Sequence, residues 1–103
     1  MVELKTLQHD LRQTNREMQQ PFGSATEVML AMVEELGEVA TEIAILDQIG
    51  SKAEWKIGPS KERLAEEITH VLNLILVLAN LYDIDLDEKY AIKRQALAYQ
   101  KRA

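Results

Sequence analysis

Leu4, Leu7, Leu11 and Met18 recur at three- to four-residue steps, with Thr14 filling the gap, and this period predicts an amphipathic helix over residues 3 to 19. Gln20-Pro21-Phe22-Gly23 breaks it. Ser24 followed by Glu27 is a capping box, so a second helix is expected to start at Ser24 and run to about Gln48, ended by Gly50 and Ser51. Val33, Leu36, Ala40 and Ile43 mark its expected core-facing side. Residues 50 to 59 hold two of the four glycines and one of the two prolines and read as a connector, with a turn of helix near Trp55. Ser60 is the expected N-cap of a third helix. From Ile68 to Tyr82 that helix is apolar except for Thr69, His70, Asn73 and Asn80, a pattern that predicts burial on every side. It reads as too short and too polar for a membrane span. After Asp83-Ile-Asp85, a second capping box of Asp85 and Glu88 opens a last helix carrying Leu86, Tyr90 and Leu97.

No two-residue alternation, internal repeat or low-complexity tract interrupts this series, so the expected fold is all-α. Residues 1–103 read as a single domain: a four-helix antiparallel bundle-type subunit that associates through its helices into a dimer or tetramer. With 103 residues and 47% apolar content, the chain can build a modest core without staples. It has no cysteine, which excludes disulfides and thiolate metal sites. The first twenty residues carry charges and glutamines where a secretory signal has an apolar run, so a cytoplasmic location is expected. A formal charge of −5 disfavours a duplex nucleic-acid binder. The charge is unevenly placed: residues 27 to 48 hold six acids and no base, whereas residues 89 to 103 hold five bases and no acid.

Two acidic segments concentrate the chemistry. Glu34-Glu35-Leu-Gly-Glu38 lies inside the second helix and Glu66-Glu67-Ile-Thr-His70 near the start of the third. Side chains three or four residues apart share a helix face, about 5 to 6 Å from one another. An antiparallel pairing of the two helices would therefore bring Glu35 and Glu38 opposite Glu67 and His70. Carboxylates taken out of water stay ionised only beside compensating positive charge, and the second helix has neither Lys nor Arg. A divalent cation fits that requirement. Carboxylate oxygens suit Mg²⁺ or Mn²⁺, with the remaining coordination positions filled by water and phosphate oxygens, which points to a phosphate ester substrate. Solvated glutamates on an outer helix face are the simpler alternative.

The succession Glu34-Glu35-Leu-Gly-Glu38, Glu66-Glu67-x-x-His70-Val-Leu and Ala79-Asn-Leu-Tyr-Asp-Ile-Asp-Leu-Asp-Glu88 resembles the MazG-like all-alpha nucleoside triphosphate pyrophosphohydrolases, over about residues 24 to 90. Their pattern is Glu-Glu-x-x-Glu, a spacer of variable length, then Glu-x-x-Asp. The resemblance implies an oligomer of helical bundles, a homodimer or homotetramer. It also implies use of Mg²⁺ to hydrolyse a nucleoside triphosphate to monophosphate and pyrophosphate. On that basis Glu35, Glu38 and Glu67 would be metal ligands, and Glu34 a further ligand or an orienter of the attacking water. Lys93 would reach phosphate, although Leu97 stands where the family often has Asn.

His70 departs from the pattern, since the family has Asp there. Imidazole is a poor Mg²⁺ ligand and a better one for Mn²⁺, Fe²⁺, Ni²⁺ or Zn²⁺, so the departure implies an altered or weakened centre, or a histidine bonded to Glu66, Glu67 or a backbone carbonyl. Trp55 either stacks on a base or packs over the bundle end. Asn73, three residues after His70, is either a substrate-side hydrogen-bonding group or a polar group fixing helix register. Two other readings remain open: a carboxylate-bridged di-iron or di-manganese bundle using Glu67-x-x-His70, and a helical interaction module without chemistry.

Overall fold

A computed structural model describes residues 3–17, 23–52 and 57–102; Met18, residues 20–22 of the expected break and Trp55 lie outside them. The element order is α1 (Leu4–Glu17), α2 (Ala25–Asp47), a 3₁₀ turn (Gly50–Lys52), α3 (Lys61–Leu81) and α4 (Leu86–Arg102). No strand occurs among the described residues, as the all-α pattern predicts.

Each helix from α2 onward starts where a short polar side chain satisfies an otherwise orphaned N–H. Ser24 Oγ accepts from the Glu27 amide at 3.2 Å, Ser60 Oγ from the Arg63 amide at 3.1 Å, and Asp85 Oδ1 from the Glu88 amide at 3.2 Å. At the other end of α2, Gln48 adopts the left-handed conformation with φ 56°, and Ile49 N–H reaches back to Ala44 O at 3.0 Å. That geometry closes the helix before Gly50.

α2 and α3 run antiparallel. Glu42 meets Arg63, Glu35 meets His70, and Val28 and Met32 pack with Leu74 and Val77, so rising numbers on one helix face falling numbers on the other. Leu11 from α1 and Ala31, Val71 and Leu78 complete this core. Below it, Arg63 Nε donates to both carboxylate oxygens of the buried Glu42, at 2.9 and 3.0 Å, while Arg63 Nη2 donates to Gly58 O. One guanidinium thus ties the connector to α2. At the opposite end, buried Gln8 joins three elements. Its Nε2 donates to Asn80 Oδ1 at 3.1 Å and Ile84 O at 2.7 Å, its Oε1 accepts from Leu86 N–H at 3.1 Å, and its backbone O accepts from Asn80 Nδ2 at 2.8 Å.

Several of these expectations need correction. The side of α2 bearing Val33, Leu36, Ala40 and Ile43 does not face the core: Val33 is 62% exposed and Leu36 50%. Instead α2 turns Val28, Met32, Glu35, Glu42 and Ile45 inward or toward α3. The physical reason is that the two acids on this stripe find Arg63 and His70 on α3, which offsets the cost of turning them inward. Nor is α3 buried all round, since Ile68, Leu72, Ile75 and Tyr82 are exposed while Leu74, Leu76, Val77 and Ala79 are buried. At 21 residues, with a window of mean hydropathy 1.4, α3 is long and apolar enough by length and composition to cross a bilayer, contrary to the sequence expectation. The same helix carries Arg63, Glu66 and Glu67, groups that are costly in hydrocarbon. α4 packs more lightly than the other helices, with Leu86 and Tyr90 lining an apolar groove beside Leu72 and Ile75 of α3. It touches α1, and residues 88 to 98 are exposed throughout.

Gln8→Ala is expected to destabilise the chain by about 1–3 kcal/mol, because it strands the Leu86 N–H and its neighbours away from water. Urea unfolding checks the magnitude, and faster hydrogen exchange at the Leu86 amide checks the cause.

Candidate metal centre

The site grows out of the antiparallel pairing. α2 carries Glu35 on its α3-facing side and Glu38 one turn further on, while α3 carries Glu67 and His70 one turn apart. One ligand atom from each of Glu35, Glu67 and His70 lies within 4.8 Å of the others. His70 Nδ1 is 3.2 Å from Glu35 Oε2 and 3.5 Å from Glu67 Oε2. Glu38, exposed on α2, lies close enough to Glu67 to raise its pKa. The side chains of Glu35 and Glu67 are largely covered and that of His70 is half-exposed, so the cluster has a closed floor and an open lip.

Glu67 shows what such crowding does. As a carboxylate, its Oε2 is shut off from solvent and finds no donor. Its pKa is pushed up to about 7, first because hydrogen bonds to Glu38 and Glu35 favour the protonated acid, then because burial and the charges of those neighbours disfavour the anion. Glu35 moves the other way. The hydrogen bond from Glu67 is the main cause of its lowered pKa, helped by His70 and opposed by burial. His70 is raised, chiefly by its hydrogen bond to Glu35, against burial and with the charges of Glu35 and Glu67 assisting. Near neutrality, protons on Glu67 and His70 thus supply the positive charge that the cluster demands. The group they stand in for is a cation, and the orphaned Glu67 Oε2 is the atom that a metal would satisfy.

The remaining candidates are scattered. Glu34 is exposed on α2, beside Glu35 but turned from α3, and Asn73 is half-buried on α3 one turn beyond His70. Lys93 lies elsewhere, lining an apolar groove with Leu4, Leu72, Ile75 and Tyr90. Trp55 is outside the described residues. Sequence reasoning missed the Glu42–Arg63 pair. Its signal was present: Glu42 lies four residues after Glu38, and Arg63 four before Glu67, so the antiparallel alignment that joins the acids also joins this pair.

Two carboxylates and an imidazole, from Glu35, Glu67 and His70, could hold a divalent ion. The oxygens suit Mg²⁺ or Mn²⁺, and the nitrogen shifts preference toward Mn²⁺ and later first-row metals. Compared with known proteins, the chain matches no family model, no curated protein and no solved structure.

The sign of the pH dependence follows from these shifts. An unfolded Glu67 loses its proton near 4.5, whereas the folded one keeps it to about 7, so folding takes up a proton in that window and metal-free stability falls as pH rises through it. His70, raised from 6.5, adds a loss in the same direction at higher pH. Glu35, lowered from 4.5, contributes stability that is lost only as pH falls below that value. A metal must displace the Glu67 and His70 protons, so its binding strengthens with pH. Thermal melts between about pH 5 and 8 should show the chelated protein losing stability while the increment from added Mn²⁺ grows. A Mn²⁺ increment independent of pH would contradict the assignment of the cluster as the metal site.

Proposed function

We propose that this chain is a metal-dependent nucleoside triphosphate pyrophosphohydrolase, converting an NTP or dNTP and water to the monophosphate and pyrophosphate in the manner of the MazG-like enzymes its motifs resemble. The observation that carries the reading is the meeting of Glu35, Glu67 and His70 within 4.8 Å on two antiparallel helices. The finer parts of the reading are the same chain's association into a dimer or tetramer, a cytoplasmic setting without duplex nucleic acid or membrane, and a housecleaning role.

Glu35, Glu38, Glu67 and His70 would hold Mg²⁺, or Mn²⁺ given the imidazole. When bound, the cation neutralises triphosphate charge and acidifies a coordinated water. The described cation nearest along the helices, Arg63, is engaged by Glu42 and Gly58 O, so phosphate neutralisation is not its task. Glu34 stands exposed beside Glu35, placed to orient water or accept its proton. Asn73 extends the open side of α3 toward a bound substrate. The half-exposed His70 would leave the lip of the site accessible to the triphosphate.

A redox reading shares the same residues. His70 beside Glu35, with Glu67 one turn before it, is a donor set that also suits a carboxylate-bridged di-iron or di-manganese centre when two copies meet. Stoichiometric iron in protein purified without oxygen favours that alternative. An interaction module without metal would show neutral or stabilising effects from Glu35→Gln and Glu67→Gln, since each removes a crowded charge.

Incubation with a panel of NTPs and dNTPs and either Mg²⁺ or Mn²⁺ should release monophosphate and pyrophosphate. Glu35→Gln and Glu67→Gln should each lower that release on the order of 100-fold or more and abolish metal-dependent thermal stabilisation. His70→Asp should raise Mg²⁺-supported turnover relative to Mn²⁺. Folded protein without turnover on any nucleotide rejects the enzyme assignment.

A further inference from the structure

An apolar groove lies where α1, α3 and α4 meet. Leu76, almost fully buried, forms its deepest part with half-buried Leu4 of α1 and Leu86 of α4, and the more exposed Leu72 and Ile75 of α3 lie nearer the surface. At about 100° per residue, Leu72, Ile75 and Leu76 point roughly 140° to 240° around α3 from His70. A molecule held here would not touch the acid cluster.

α4 supplies the remaining lining: Tyr90 and, one turn apart, Lys89 and Lys93. Both lysines are exposed, and among the described residues neither has an acid within ion-pair distance. Like charges four residues apart on a helix repel each other. An anion held between the two ammonium groups relieves that repulsion while their hydrocarbon stems stay against the apolar lining. The groove thus joins an apolar interior to a cationic edge that the chain itself does not neutralise.

Size and polarity narrow the occupant. The groove measures about 360 Å³, room for about twelve methylene-sized groups at ~30 Å³ each, the share of one water molecule in the liquid. One turn of α-helix, ~10 Å across and ~5.4 Å tall, takes up more than that. An extended peptide fits no better, because its backbone N–H and C=O groups would lie against leucine and isoleucine side chains that cannot pair with them. A single hydrocarbon chain carries no such groups, and the space is too small for the paired long chains of a phospholipid.

We propose that this groove binds a straight-chain fatty acid of about ten carbons, with its chain among Leu72, Ile75, Leu76 and Leu86 and its carboxylate between Lys89 and Lys93. The site is separate from the proposed metal centre and rests on neither metal nor nucleotide.

The test uses the full chain in chelator without nucleotide, so that its outcome is distinct from that of the metal reading. Decanoate is added below its micelle concentration while methyl NMR signals are followed. The methyls of Leu72, Ile75 and Leu86 should shift saturably at one decanoate per chain, and those of Leu74 and Val77, which pack in the core against α2, should not. Each methylene removed from the acid should weaken binding roughly threefold to fourfold. Lys89→Gln combined with Lys93→Gln should weaken decanoate about tenfold or more and leave decanol unchanged. Equal affinity for decanol and decanoate in the unaltered chain overturns the proposal. So do methyl shifts spread evenly through the core, or a response to phospholipid vesicles with none to decanoate.

Discussion

Charge placed between two helices that are otherwise apolar governs this structure. Glu35 and Glu42 lie on the inner side of α2, and each is tolerable only because α3 brings a partner to it: His70 for the first and Arg63 for the second. Removing one partner from a buried pair costs far more than the pair contributes. A one-turn slip of α3 against α2 would strand both acids together. The register of the hairpin, and with it the packing of Val28 and Met32 on Leu74 and Val77, is therefore fixed by the ionised groups as much as by the apolar ones.

The same arrangement alters how the acid cluster holds its protons. Three carboxylates and an imidazole share a space in which they cannot all carry their usual charges. Glu67 retains a proton to about pH 7 while Glu35 gives its proton up more readily than usual. Paired titratable groups pushed apart in this way are typical of functional sites, although structural ion-pair networks do it too. The Glu42–Arg63 pair one turn away shows the contrast: a single acid with a single base, held by two hydrogen bonds and a backbone carbonyl.

Much of this was legible in the residues. The caps at Ser24, Ser60 and Asp85 each marked a helix start correctly, because a side chain three residues upstream of its amide is a local device that tertiary packing does not overrule. The facing of Glu35 and His70 followed from three-residue spacing plus an antiparallel turn. The inner side of α2 was not legible in the same way. Two apolar stripes run along that helix, and helical spacing alone pointed to Val33, Leu36, Ala40 and Ile43. Only the position of Arg63 and His70 on another helix reverses the choice, and no periodicity within α2 contains that information. The apparent all-round burial of α3 failed for a related reason, since hydrophobic composition records what will be covered without saying whether the cover comes from the same chain.

The strap formed by Arg63 has one further consequence. By gripping both Glu42 and the carbonyl of Gly58, and with Ser60 capping the helix beside it, Arg63 fixes where the connector must arrive, independently of the path taken to get there. Loop closure depends only weakly on length, about 0.6 kcal/mol per doubling. A change in the length of the connector would therefore leave Gly58, Ser60 and the start of α3 anchored against Glu42, and the facing carboxylates in register.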